Sequence, residues 1–310
     1  MRSNPSRRGG FAAAGAFVIW GLLPLYVHPL HGISSLQVIA HRIVWSCVFV
    51  LLWMGFRGEM TSLRAAFRDR SVLLRLALTA ALITANWLVN VWSVMHGHVV
   101  EASLGYFMGP LVNVSLGVVL LSERLTRLQW TSVAMAAMGV AYLTVMAGRP
   151  PWIALALAFI FALYGLIRKV VRVEALPGLA VETLMLFPVA AAYLIGCEFA
   201  GTAALGHRGG AIDALLLGCG PLTAVALYLF AYASRLLPYS TLGLMQYIAP
   251  TLQFACAVFA LREPFDRPHA IGFAIIWTAL VIFGGESLRL ARKPELAGAS
   301  QKISPKDEPY

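Results

Sequence analysis

The sequence predicts an all-α membrane protein of ten transmembrane helices, and three observations carry that reading. Hydrophobic residues make up 59% of the 310-residue chain, above the roughly 45–50% of a soluble globular protein. Charged residues fall to 12%, about half their usual share of about 25%, and so few cannot cover a water-facing surface of this size. Ten crossings of roughly 20 residues each, matched to a hydrocarbon core about 30 Å thick, use about 200 residues and leave about 110 for connections and tails. A soluble enzyme, a disordered chain and a disulfide-stapled secreted domain are excluded on the same grounds.

Each span is an apolar run of membrane length between charge or glycine/proline punctuation. The first, 11–30, follows Arg7, Arg8, Gly9 and Gly10. It is too long for a signal-peptide core, contains Trp20 and Pro24, and lacks a small-residue cleavage pattern, so an uncleaved helix is expected. The second, 36–55, stops at Arg57 and Gly58; the third, 72–95, begins after Arg70. Between them, Arg57, Arg64, Arg68 and Arg70 mark a solvated, amphipathic surface segment. Spans 100–121 and 128–147 are divided by Ser122, Glu123 and Arg124, and 151–168 follows Pro150. The last four are 178–198, 212–233, 239–261 and 268–288, after which a polar tail, 289–310, is expected to be disordered.

The net charge of +10 lies in short connections rather than on an aromatic-basic surface, so no nucleic-acid partner is expected. It reads instead as orientation. With the N-terminal segment 1–10 inside, nineteen Lys and Arg fall on the inner side, Arg168 and Lys169 among them. Four (Arg149, Arg208, Arg262 and Arg267) fall outside, and Arg42 is left within the membrane. Both termini are thus expected in the cytoplasm. Cys47, Cys197, Cys219 and Cys256 all lie in apolar runs without metal or redox spacing.

Shifting the chain by 140 lays Pro110 on Pro250, Asn113 on Gln253, Glu123 on Glu263 and Arg127 on Arg267. Trp20-Gly21 matches Tyr164-Gly165 at a similar offset. Two five-helix repeats, 11–147 and 151–288, are expected. Because five is odd, the second enters the membrane inverted, a transporter architecture.

The midspan proline, the Leu-Ser-Glu-Arg helix end at 121–124 and the glycine-containing closing helix resemble the EamA domain of the drug/metabolite transporter superfamily, present twice. His41-Arg42, Asn86-Trp87, Glu101 to Phe107, Pro110 to Asn113, Tyr164 to Lys169, Glu182-Thr183, Ser240 to Gly243 and Gln246 to Thr251 resemble the RarD group within it, from about residue 10 to 290. The resemblance implies a ten-helix permease of the bacterial inner membrane, in a group associated with chloramphenicol sensitivity. The basic N-terminus and the tail have no counterpart that is carried over.

Polar groups inside apolar spans are the candidate site, because a charge at the bilayer centre costs roughly 2.5–3.5 kcal/mol on insertion scales. Arg42 lies about 9 Å below the outer boundary at 1.5 Å per residue. Asn86 and Asn90, one turn apart, reach that level, and Glu101 enters from the same side. An outer-half cluster of His41, Arg42, Asn86, Asn90, Glu101 and Tyr106 is expected, set against the plainer reading that Arg42 snorkels and pairs with Glu101. Glu182, about 6 Å from the inner boundary, reads either as a proton-coupling gate or as an interfacial carboxylate bonded to helix ends. Pro110 and Pro250, with Tyr106 and Gln246 one turn before and Asn113 and Gln253 one turn after, form matched stripes along a substrate path. Trp20, Trp87, Tyr164 and Tyr247 are candidates to wall it, with Trp92 beside them. Gly139 and Gly272 read as close helix packing.

No metal spacing, P-loop, hydrolytic triad or carboxylate pair appears, so neither a cofactor nor an enzyme activity is expected. A secondary transporter of a small organic solute, drug or metabolite, working by alternating access as a monomer or homodimer, is the leading reading. A membrane-embedded enzyme and a scaffold or channel are its rivals.

Overall fold

A computed structural model describes residues 5–96, 98–148, 152–260 and 267–291. The described residues form twelve α-helices: α1 (Pro5–Val27), α2 (Ser35–Arg57), α3 (Met60–Arg68), α4 (Arg70–Met95), α5 (Val99–Leu121), α6 (Arg127–Ala147), α7 (Trp152–Val170), α8 (Ala175–Phe199), α9 (Gly210–Leu236), α10 (Tyr239–Met245), α11 (Ile248–Ala255) and α12 (Arg267–Ala291). Among the described residues there is no strand. Among the described residues, nine helical segments are long and apolar enough to span a membrane; the tenth crossing is α5, whose Gly105–Leu121 part is a shorter apolar helix. The ten expected helices are present. α1 begins at Pro5, so residues 5–10 extend the first span rather than preceding it. The expected disorder of the tail beyond 291 lies outside the described residues.

The arginine-rich segment after α2 is the short helix α3. It buries Leu63 and Ala66 while Arg64 and Arg68 stay exposed, and it packs on α8 and α4, as a one-sided surface helix must.

The ninth crossing is two helices in line. Pro250 has no N–H to donate, which frees the carbonyl of Gln246 four residues earlier. That carbonyl accepts instead from Ala249 N at 3.1 Å, a tighter turn that separates α10 from α11. Five residues of π-helix, Cys256–Ala260, follow α11. α5, by contrast, continues through Pro110. The expected symmetry of the two proline kinks therefore does not extend to the backbone.

The packing order is specific. α1 lies against α9 and α11, α7 against α4 and α5, α2 against α8 and α9, α4 against α8, α5 against α10, and α6 against α12. Small residues set the closest approaches. A Cβ on Gly220 would sit 2.3 Å from the backbone carbon of Trp45, so only glycine lets α9 meet α2 there. On Gly139 it would sit 2.8 Å from Ile276 Cγ1, and on Gly272 2.5 Å from Leu143, which makes both part of the α6–α12 seam as expected.

Candidate functional site

A cavity of about 740 Å³ enters the bundle from the end that carries the α1–α2 connection, where His28, His31 and Gly32 form its mouth. Its polar wall combines Arg42 from α2, Asn86 and Asn90 from α4, and Tyr106 from α5. Gln246, Pro250 and Gln253 close it from the broken ninth crossing, and Trp20, Trp87 and Phe161 add aromatic faces.

Arg42 is held on two sides. Its Nε donates to Thr223 Oγ1 on α9 at 3.0 Å, and its Cζ stands 4.8 Å from the centre of the Trp87 ring, a cation–π contact. Asn86 Nδ2 donates to the Leu157 carbonyl at 3.1 Å; Asn90 Nδ2 approaches Tyr106 Oη at 3.4 Å. Gln253 Nε2 donates to the Trp20 carbonyl at 3.1 Å, tying α11 to α1. Asn113 Nδ2 donates to Gln246 Oε1 at 2.7 Å, so α5 holds that glutamine from behind the cavity wall.

Trp20, Arg42, Asn86, Trp87, Asn90, Tyr106, Gln246, Pro250 and Gln253 are thus brought to one cavity. Other expected members are placed elsewhere. His41 is buried and accepts from Trp45 Nε1 at 3.2 Å, because neighbouring residues on a helix point about 100° apart and only one can face the cavity. Asn113 is fully buried behind Gln246, and Pro110 is not on the lining. Tyr247 is buried with its hydroxyl donating to the Phe107 carbonyl at 3.0 Å. The Glu101 side chain lies outside the described residues.

Tyr164 is buried beneath the floor. Trp20 and Phe161 meet edge-on at 5.7 Å, and Phe230 stands 5.6 Å from Trp20 and 5.3 Å from Phe161. Phe17 and Tyr164 back Phe230, each at 6.1 Å. These rings close the path from the cavity toward the opposite end.

Below them sits a buried polar cluster. Glu182 Oε1 accepts from Thr79 Oγ1 and faces Arg168 Nη1 at 3.6 Å; both charged side chains are almost fully buried. Arg168 Nη2 donates to the Ala175 carbonyl at 2.9 Å. Arg168, counted from the sequence as a charge of the inner connection, is the buried partner of Glu182. At that same end Glu123 receives Tyr239 N, Ser240 N at 2.8 Å and Ser240 Oγ at 2.6 Å, capping α10. Lys169 Nζ donates to the carbonyls of Ser234 and Leu237 that end α9, favourable for a cation at a helix C-terminus. Glu123 was legible in the Leu-Ser-Glu-Arg motif and its repeat match; nothing in the sequence points to its partner 116 residues away.

Residues 7–145 match the EamA-like transporter family. Protein RarD of Escherichia coli is 39% identical over 94% of this chain and 99% of its own. The chain belongs to the RarD group of EamA-like transporters. The chloramphenicol-sensitive protein RarD of Pseudomonas aeruginosa is 36% identical over 94% of this chain and 99% of its own. An uncharacterized transporter of Bacillus subtilis, YojE, is 39% identical over 91% of this chain and 95% of its own. A solved crystal structure, 19% identical, shares the fold with a TM-score of 0.69 over 89% of this chain and 96% of that one. This RarD-group chain is therefore a multi-pass membrane protein of a transporter family, with a small-molecule cargo and a lipid surround.

Proposed function

We propose that the chain is a secondary carrier of the bacterial inner membrane that moves a small organic solute through the 740 Å³ cavity by alternating access. The observation that carries this reading is the contrast between the two ends of one path. One end is open to Arg42 and Gln246; the other is shut by the rings around Phe230 and by Glu123 on α10. A channel needs a continuous pore, whereas a carrier needs one gate closed while the other is open.

The packing supports two inverted repeats. Exchanging the first crossing with the sixth, the second with the seventh, and so on turns α1–α9 into α7–α4 and α1–α11 into α7–α5, all of which occur. The pairs α2–α8, α5–α10 and α6–α12 map onto themselves. A bundle so built can rock between two nearly equivalent arrangements. The lysine and arginine bias supports a reading in which both termini and the Glu123 gate face the cytoplasm and this state opens outward.

Glu182 is read as a bolt of the closed half. Proton coupling through it is the alternative that Glu182→Gln decides: unchanged transport and pH dependence remove it from coupling. The reading as a whole is tested by reconstituting the purified chain in liposomes and measuring counterflow, with chloramphenicol among the first solutes. Saturable uptake accelerated by internal solute is expected; flux that never saturates and shows no counterflow overturns the carrier.

A further inference from the structure

Among the described residues the cavity wall carries charge of one sign. Among the described lining residues there is no Asp, Glu or Lys; Arg42 is the permanent charge, with His28 and His31 only at the mouth. The two contacts of Arg42 fix the plane of its guanidinium, Nε through Thr223 and the face through Trp87. They leave the terminal Nη edge, for which no hydrogen bond is found among the described residues. That edge is a two-pronged donor whose geometry matches a carboxylate. Around it stand the amides of Gln246 and Gln253 and the rings of Trp20 and Phe161, which suit a polar substituent and a flat apolar body. The volume of about 740 Å³ lies in the usual range for small-molecule sites.

Resting on the carrier reading above, we infer that the cavity takes small organic anions bearing a carboxylate, and that Arg42 is the residue that selects them over neutral and cationic solutes of the same shape. A cation entering here meets Arg42 with no lining carboxylate among the described residues to offset it. A neutral solute leaves the guanidinium edge unmatched. A carboxylate satisfies both Nη groups at once, while the amides bind whatever polar group the rest of the solute carries.

Three probes of one shape separate these cases: benzoate, its neutral amide benzamide, and the cation benzylamine. Each is titrated into the full chain in nanodiscs by tryptophan fluorescence, with Trp87 beside the charge as reporter. Benzoate is expected to bind at least about tenfold more tightly than the other two. In Arg42→Gln the three converge to within about threefold. Arg42→Lys keeps the order with a weaker benzoate, and monodisperse elution of both variants shows that they fold. Equal binding of all three to the native chain, or tightest binding of benzylamine, overturns the anion assignment; if Gln246→Ala still weakens them, the cavity reading survives. A benzoate preference untouched by both Arg42→Gln and Gln246→Ala places the anion outside the cavity and overturns both. No binding by any probe overturns the anion assignment, and counterflow then decides separately whether the cavity carries a solute.

Discussion

Two arginines lie within the helical bundle and are used in opposite ways. Arg42 borders an open cavity, anchored by one hydroxyl and one aromatic face. Arg168 is sealed against Glu182 and a backbone carbonyl, beneath the aromatic floor. The difference teaches how a membrane protein can justify an intramembrane charge. One is placed where water and solute reach it, and its donors stay available; the other is neutralised and locks two helices. Charge within an apolar span marks both, and only the surroundings separate a site from a bolt.

The sharpest way to break this comparison is to remove the partner of the sealed arginine. Glu182→Ala leaves Arg168 buried without its carboxylate and is expected to cost about 3–5 kcal/mol, read as thermal unfolding of the purified chain. Replacing both with leucine should recover most of that loss, since no uncompensated charge remains. Next in size is the contact that sets the depth of the open arginine. Gly220→Ala pushes α9 from α2 one turn before Thr223, with an expected loss of about 1–3 kcal/mol and a shift of the Arg42–Trp87 fluorescence environment. Glu123→Gln weakens the cap on α10 by about 1–2 kcal/mol, measured as faster hydrogen exchange at Tyr239 and Ser240. The smallest stability effect belongs to Arg42→Gln, about 0.5–1 kcal/mol for the lost cation–π contact, yet transport is expected to fail. A large stability loss there would make Arg42 a second bolt.

Much of the fold was legible because apolar length and punctuation are local signals. The ten crossings and the surface helix α3 follow from runs such as 36–55 and from the arginines after it. The polar wall was legible as far as depth could be counted: Arg42, Asn86 and Asn90, grouped by the rise per residue, line one cavity. What was not legible depends on azimuth and on distant partners. Counting cannot tell that His41 turns away while Arg42 turns in, or that Tyr164 and Tyr247 bury behind the wall they were expected to form. Arg168 read as an orientation charge because its position at the end of a span looks solvated; only α8 folding over it reveals the ion pair with Glu182. The two prolines looked equivalent by repeat register, but only Pro250 lies where the ninth crossing divides.

The central claim is that one path is open at the Arg42 end because it is shut at the Glu123 end, and that transport requires the two to exchange. Cysteines placed at Glu123 and Ser240, in a chain freed of Cys47, Cys197, Cys219 and Cys256, allow the shut end to be bridged with a short thiol-specific linker. Bridging is expected to abolish counterflow in liposomes while leaving solute binding at the cavity intact, and cleaving the linker should restore transport. Full counterflow with the bridge in place would contradict alternating access through this gate.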